Sequence, residues 1–174
     1  MLNIVLIEPL IPQNVGNIGR TCVGMNAKLH LIRPYGFFLN FFSNKELSRS
    51  CVDYWEKLNY QEYDSYEDFI KTNSSSNSIF LYITRYGIKK PDEIKMEKEK
   101  NIFIIFGKET TGIDKEILAK NKENTIRIPS TKDVRSLNLS NCVAILAYEY
   151  ERQNNFFGLE KKEPHKPFFL NELE

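Results

Sequence analysis

Three short stretches of this chain concentrate side chains able to do chemistry. The first is Glu8-Pro-Leu-Ile-Pro-Gln-Asn-Val-Gly-Asn-Ile-Gly-Arg-Thr-Cys22, the second Phe106-Gly-Lys-Glu-Thr-Thr-Gly-Ile113. The third runs from Ile126-Arg-Ile-Pro-Ser130 to Arg135-Ser-Leu-Asn-Leu-Ser-Asn141. Among them they supply a guanidinium (Arg20), a carboxylate (Glu109), and several amides and hydroxyls (Asn14, Ser136, Asn138, Ser140). That inventory suits the binding and orientation of a polar ligand. Gly16 and Gly19 fall where the chain should be helical, at a cost of about 1 kcal/mol each against alanine. Glycine there points to close approach by another backbone or a ligand.

Each stretch also has a purely structural reading. The first is a Pro/Asn-rich helix start with Asn14 as N-cap and Arg20 at the surface. The second is a strand–turn–helix connection with a glycine at positive φ. In the third, Ser136, Asn138 or Ser140 caps a helix. No capping box forms, because Leu139, Asn141 and Val143 stand three residues after those caps. One cap accounts for one polar side chain, and the alternation with Leu137 and Leu139 suits an extended approach that offers backbone amides to a ligand.

Other chemistries fail on inventory. Gly107-Lys108 lacks the upstream glycine and following Ser/Thr of a phosphate loop, and Glu109 would repel phosphate. The Gly16-Asn-Ile-Gly19 fragment is too short for a dinucleotide fingerprint. No Gly-x-Ser-x-Gly elbow and no metal-ligand cluster occurs, and His30 and His165 read as structural.

Several elements must position these groups. Strands are predicted over 3–7, 29–32, 78–84, 101–106 and 125–128. Helices are predicted over 14–26, 45–58, 66–71, 114–121 and 139–153. The run 101–106 is apolar throughout, as in a strand buried on both faces. In the last helix, Leu139, Val143, Leu146, Ala147 and Tyr150 form one apolar stripe. Strands alternate with helices, which predicts an α/β fold: a parallel sheet covered by helices on both faces. The three stretches follow strands, so their loops gather on one edge. Tyr60, Tyr63 and Tyr66 are of a type that stacks bases, although packing is the simpler use. Asp64, Glu67 and Asp68 read as a solvated cluster. Phe156, Phe157, Phe168 and Phe169 mark the tail 154–174 as packed on the body or a partner chain.

The 174 residues fit a single domain. Hydrophobic residues make up 41% of them and charged residues 27%, an ordinary globular balance. No apolar run approaches the roughly 20 residues of a bilayer span, so no membrane role is expected. The apolar start, Met1 to Ile7, reads as a strand rather than a signal peptide. Three separated cysteines, Cys22, Cys51 and Cys142, predict no disulfide framework and a cytoplasmic location. The net charge of +1 leaves nucleic-acid binding to local patches. Arg20, Arg33, Arg85, Lys89, Lys90, Lys132 and Arg135 are the candidates.

Taken together and in order, the three stretches resemble the three motifs of the SPOUT-type RNA ribose 2′-O-methyltransferases. The resemblance extends to about Arg152 and is greatest to the one-domain subgroup that methylates cytidine or uridine 34 of tRNA. It implies an α/β knot with a C-terminal trefoil, S-adenosylmethionine as methyl donor, no metal, a tRNA substrate and a homodimer. By position it implies catalytic roles for Arg20, Asn14, Glu109, Ser136 and Asn138. It also implies cofactor contacts by Tyr82, Gly107, Ile128, Ser136 and Leu137. Val15 and Ser130 depart from the usual Thr and Met of the family pattern. A methyltransferase acting on another tRNA position or on rRNA, a non-catalytic RNA-binding member, and a small-molecule enzyme are the competing readings.

Overall fold

The computed structural model describes residues 1–39 and 54–165. In chain order these form β1 (Leu2–Ile7), α1 (Pro12–Gly24), β2 (Lys28–Ile32), β3 (Tyr60–Tyr63), α2 (Tyr66–Asn73) and β4 (Ser78–Ile83). Then come β5 (Asn101–Phe106), α3 (Lys115–Lys120), β6 (Thr125–Ile126) and α4 (Leu139–Gln153). The six strands make one parallel sheet in the order β3-β2-β1-β5-β4-β6.

Alternation along the strands builds two cores. Leu2, Ile4 and Leu6 of β1 face Val15, Ile18 and Cys22 of α1 and Val143, Leu146 and Ala147 of α4. Val5 and Ile7 face the other way, toward Phe69 of α2 and, past Ile113, Ile117 and Leu118 of α3. The expected stripe of α4 is therefore its core face, with Leu139 partly buried at its start. Gly16 and Gly19 are buried on α1, the helix that packs on α4.

The observed elements depart from the expected ones at three places. β3 was not expected from the sequence; it is an edge strand of four residues in which only Tyr63 is buried, so no apolar run announces it. Tyr63 sits in the core and Tyr66 shares a 2.8 Å hydrogen bond with Tyr82, while Trp55 packs 4.7 Å from Tyr60, so these tyrosines serve packing. The helix expected over 45–58 lies largely outside the described residues, as does Cys51; its end is a 3-10 turn at Trp55–Lys57. The strand expected over 125–128 pairs only at Thr125–Ile126. Beyond that point Arg127 N donates to Lys89 O at 2.8 Å, and Pro129 has no amide to pair.

β6 is thus bracketed. β4 lies on one side, with Thr84 N donating to Ile126 O at 3.0 Å. On the other lies the loop after β4, where Lys89 N donates to Thr125 O at 3.2 Å. Gly87 makes the bracket possible: a Cβ there would stand 2.2 Å from the Ile126 carbonyl carbon. Gly87→Ala is expected to cost about 2 to 3 kcal/mol, because backbone rather than a flexible side chain must give way. A guanidinium midpoint equal to that of the unsubstituted protein, at equal slope, would refute this.

The tail is anchored where it is described. Gln153 and Asn154 bond the backbone of Ile94, Met96 and Lys98, and Phe156 packs 5.3 Å from Tyr148. Phe157 stays 72% exposed beneath the Lys98 ammonium, and Phe168 and Phe169 lie outside the described residues.

Candidate active site

Parallel strands send their following loops to one edge, and β1 and β5 are neighbours at the point where the strand order reverses. The loop after β1 and the loop after β5 therefore meet. Three of the four described helices carry their own N-cap: Ser65 for α2, Asp114 for α3 and Asn138 for α4. α1 does not, since Ile11 occupies its N-cap position with Pro12 behind it. The missing acceptor comes from 98 residues away. Glu109 Oε2 accepts from Leu10 N at 2.9 Å, and Oε1 accepts from Ile11 N at 3.2 Å. A carboxylate at a helix N-terminus also complements the helix dipole.

Glu109 Oε1 accepts a third bond, from Asn14 Nδ2 at 3.0 Å. Asn14 is thus not the helix cap the sequence suggested; it is a buried residue of the first turn of α1. Its amide orientation follows. With Nδ2 turned to an acceptor-only carboxylate, Oδ1 faces away and accepts from Asn138 Nδ2 at 3.0 Å. Asn138 Oδ1 in turn accepts from Ser140 N at 2.8 Å and Ser140 Oγ at 2.7 Å. Donors and acceptors run in one direction, Ser140 to Asn138 to Asn14 to Glu109. This relay joins the three motif stretches, which are far apart in sequence. A second link, Lys108 Nζ to Glu8 Oε2 at 2.5 Å, ties the same two loops.

The remaining candidates are placed as follows. Gly107 is buried at the end of β5, where a Cβ would stand 2.1 Å from the Gly112 carbonyl carbon. The loop returns on itself there through Gly112 N to Lys108 O at 2.8 Å, and the positive φ belongs to Gly112, at 76°. Ile128 is half-buried beside the α1–α4 core, while Ser136 and Leu137 are exposed just before α4. Among the described residues, none hydrogen-bonds the backbone of 128–136. Tyr82 points the other way. It is 2% exposed in the core beneath α2, its hydroxyl held by Tyr66, so Ile83 is the β4 residue on the network's face.

Arg20 is not part of the relay. It stands six positions after Asn14, which is about 120° around the helix and about 9 Å along it. The two therefore lie on different faces and at different levels of α1. Arg20 is exposed, with its guanidinium 4.8 Å from the centre of the Tyr54 ring. Cys142 lies near the relay, but burial pushes its thiol up, and it donates weakly to Leu137 O at 3.8 Å. It is a packed thiol, not a nucleophile. Sequence reasoning missed the backbone amides of Leu10 and Ile11 and the fourth loop of this edge, 84–90. The glycine after Tyr86, immediately past a strand, was the available signal for that loop. Among the described residues no cluster of metal-ligating side chains occurs.

Comparison with known proteins gives a consistent picture. The profile of the SpoU rRNA Methylase family matches residues 1–148. A Geobacillus stearothermophilus protein, provisionally named tRNA (cytidine(34)-2′-O)-methyltransferase, is 48% identical over 159 residues, covering 91% of this chain and 98% of its own length. A crystal structure from Bacillus anthracis, provisionally named an RNA methyltransferase, has a TM-score of 0.85 at 41% identity, covering 94% of this chain and 100% of that one. A structure described as giving insight into 2-OH methylation of C/U34 on tRNA has a TM-score of 0.81 at 35% identity, covering 90% of this chain and 97% of that one.

Proposed function

This chain belongs to the SpoU rRNA methylase family, and on that premise we propose that it methylates a tRNA ribose at its 2′ oxygen, at wobble position 34. The observation that carries this reading from the structure is the relay from Ser140 through Asn138 and Asn14 to Glu109. It holds the three motif loops in one fixed arrangement, the kind of orientation that contributes several kcal/mol to a transfer reaction.

S-adenosylmethionine supplies an electrophilic methyl group. The residues present fit it: the backbone of 128–136, unbonded among the described residues, offers amides and carbonyls, and Ile83, Ile128 and Leu137 offer apolar contact. Gly107 and Ser136 complete the proposed set, with Ile83 taking the place of Tyr82. The bracket around β6 supports a chain that threads the loop after β4, the trefoil knot that the resemblance implies.

Glu109 and the two asparagines act by positioning, since their polar atoms are spent on one another and on the helix start. Arg20 is the group left to meet the substrate. A guanidinium holds its proton too firmly to act as a base, so Arg20 steadies negative charge on the ribose oxygen or an adjacent phosphate. The active unit is a homodimer. Ile145 and Tyr148 of α4 are 40% and 55% exposed, and Ile11 at the start of α1 is 41% exposed. Such exposed apolar side chains suit a symmetric pairing.

The deciding experiment is transfer of labelled methyl from S-adenosylmethionine to bulk tRNA, with the modified nucleotide mapped. Label on ribose 34 supports the proposal; label elsewhere in tRNA or only on rRNA redirects it, and binding without transfer overturns it. Arg20→Lys keeps the charge but loses the planar fork, so kcat should fall at least about tenfold, with cofactor affinity and Tm unchanged. Near-normal turnover would rule out a guanidinium-specific role.

A further inference from the structure

We propose that Tyr86, with Arg85 behind it, is a preformed stacking platform for an unstacked base of the RNA loop; this rests on the RNA-methyltransferase reading above. Tyr86 lies in the loop after β4, on the same sheet edge as the relay, and is 67% exposed. The Arg85 guanidinium covers one face of its ring at 4.5 Å from the centroid and also donates to its hydroxyl. A cation-backed aromatic ring that is two-thirds exposed offers the kind of surface on which single-stranded bases stack.

The loop is held in place. Tyr86 N donates to Thr84 Oγ1 at 3.3 Å, Gly87 N to Thr84 O at 3.1 Å, and Arg127 donates to the Arg85 carbonyl. Gly87 presses the turn onto residues 126–127. A ring fixed in this way needs little ordering when a base arrives.

The charges point to the same side of the edge. Of the cations singled out for RNA, Arg33 is engaged by Glu62 at 2.8 Å and Lys90 by Glu93 at 3.3 Å. Lys108, over β5, is held by Glu8. By contrast, Arg85, Arg127, Lys132 and Arg135 form no ion pair among the described residues. Apart from Arg20 on α1, the cations left for a phosphate backbone, Lys89 included, lie around β4, β6 and the approach to α4. Tyr86 sits among them, next to the segments proposed to hold the methyl donor. Loops of RNA are recognised through such unstacked bases.

The test uses the full chain and an anticodon stem-loop with 2-aminopurine next to nucleotide 34. The unsubstituted protein and Tyr86→Phe should quench the probe, and Tyr86→Leu should not. Tyr86→Leu should lower kcat/KM for tRNA about tenfold, with Tm and S-adenosylmethionine affinity unchanged. Equal quenching and turnover by Tyr86→Leu would overturn the platform, as would a loss of cofactor affinity or a shift in Tm. The two proposals fail separately. Quenching that depends on Tyr86 without methyl transfer keeps the platform and refutes the reaction, whereas normal methylation by Tyr86→Leu does the reverse. No binding of the stem-loop at all overturns both.

Discussion

Glu109→Gln is expected to cost about 2 to 3 kcal/mol of folding stability and to lower methyl transfer about a hundredfold at temperatures where the variant is still folded. The carboxylate serves three donors with two oxygens: Leu10 N, Ile11 N and Asn14 Nδ2. A glutamine amide has one oxygen and brings an NH2 group against one of those donors. α1 then loses part of its cap, and Asn14 loses the partner that sets its orientation. If Asn14 flips, its Nδ2 meets Asn138 Nδ2, and the link between the first and third motif stretches is broken. Displacement of about 1 Å is enough for the loss in rate. Chemical denaturation and single-turnover transfer check the two parts separately. Unchanged stability with lost turnover would make Glu109 a catalytic residue, not a positioning one, and unchanged values of both would remove the relay from the account.

The second large effect is on acid stability. His30 is 1% exposed in the core, between Asn3, Tyr63, Phe69 and Phe103. Its proton can be placed by elimination. Asn3 Nδ2 donates to Met1 O and Ile102 O, so Asn3 Oδ1 can only accept, and His30 Nε2 must be the donor at 3.1 Å. Nδ1 is then the acceptor, and Tyr63 gives it the hydroxyl proton at 2.9 Å while accepting from Asn73 Nδ2 at 3.1 Å. The network has no place for a second ring proton. Burial, and secondarily the charge of Lys28, push His30 down to about 3 from an ordinary 6.5. The unfolded chain therefore binds a proton that the folded chain refuses. Stability should be level above pH 6.5 and fall below it by up to about 1.4 kcal/mol per pH unit until pH 3 is approached. His30→Leu should remove this contribution. It should also lower the neutral plateau by about 2 to 4 kcal/mol, because Asn3 and Tyr63 lose their ring partner. Denaturant titrations of both proteins from pH 7 to pH 4 decide the matter: a constant difference between them would refute the assignment.

Much of the architecture was legible from periodicity. Five of the six strands and the boundaries of α4 follow from runs and stripes of apolar residues, because burial on a sheet or helix face imposes a spacing on the chain. β3 was not legible, since an edge strand with one buried residue carries no such spacing. The short extent of β6 was not either, because past Ile126 the chain leaves β4 and Arg127 N bonds Lys89 O in the loop after β4 instead.

The same division runs through the site. Local sequence determined which side chains are available, that they follow strands, and that those strands are parallel, which already places Asn14, Glu109, Ser136 and Asn138 on one edge. Only the tertiary structure decided how they are used. It made Asn14 a link rather than a cap, gave Glu109 the start of a helix 98 residues away, turned Tyr82 into the core beneath α2, and left Arg20 facing outward over Tyr54. The physical reason is range. A spacing of two or 3.6 residues records which face of an element is buried, but a hydrogen bond between residues a hundred positions apart leaves no period in the sequence. It exists only once the strand order brings β1 and β5 together.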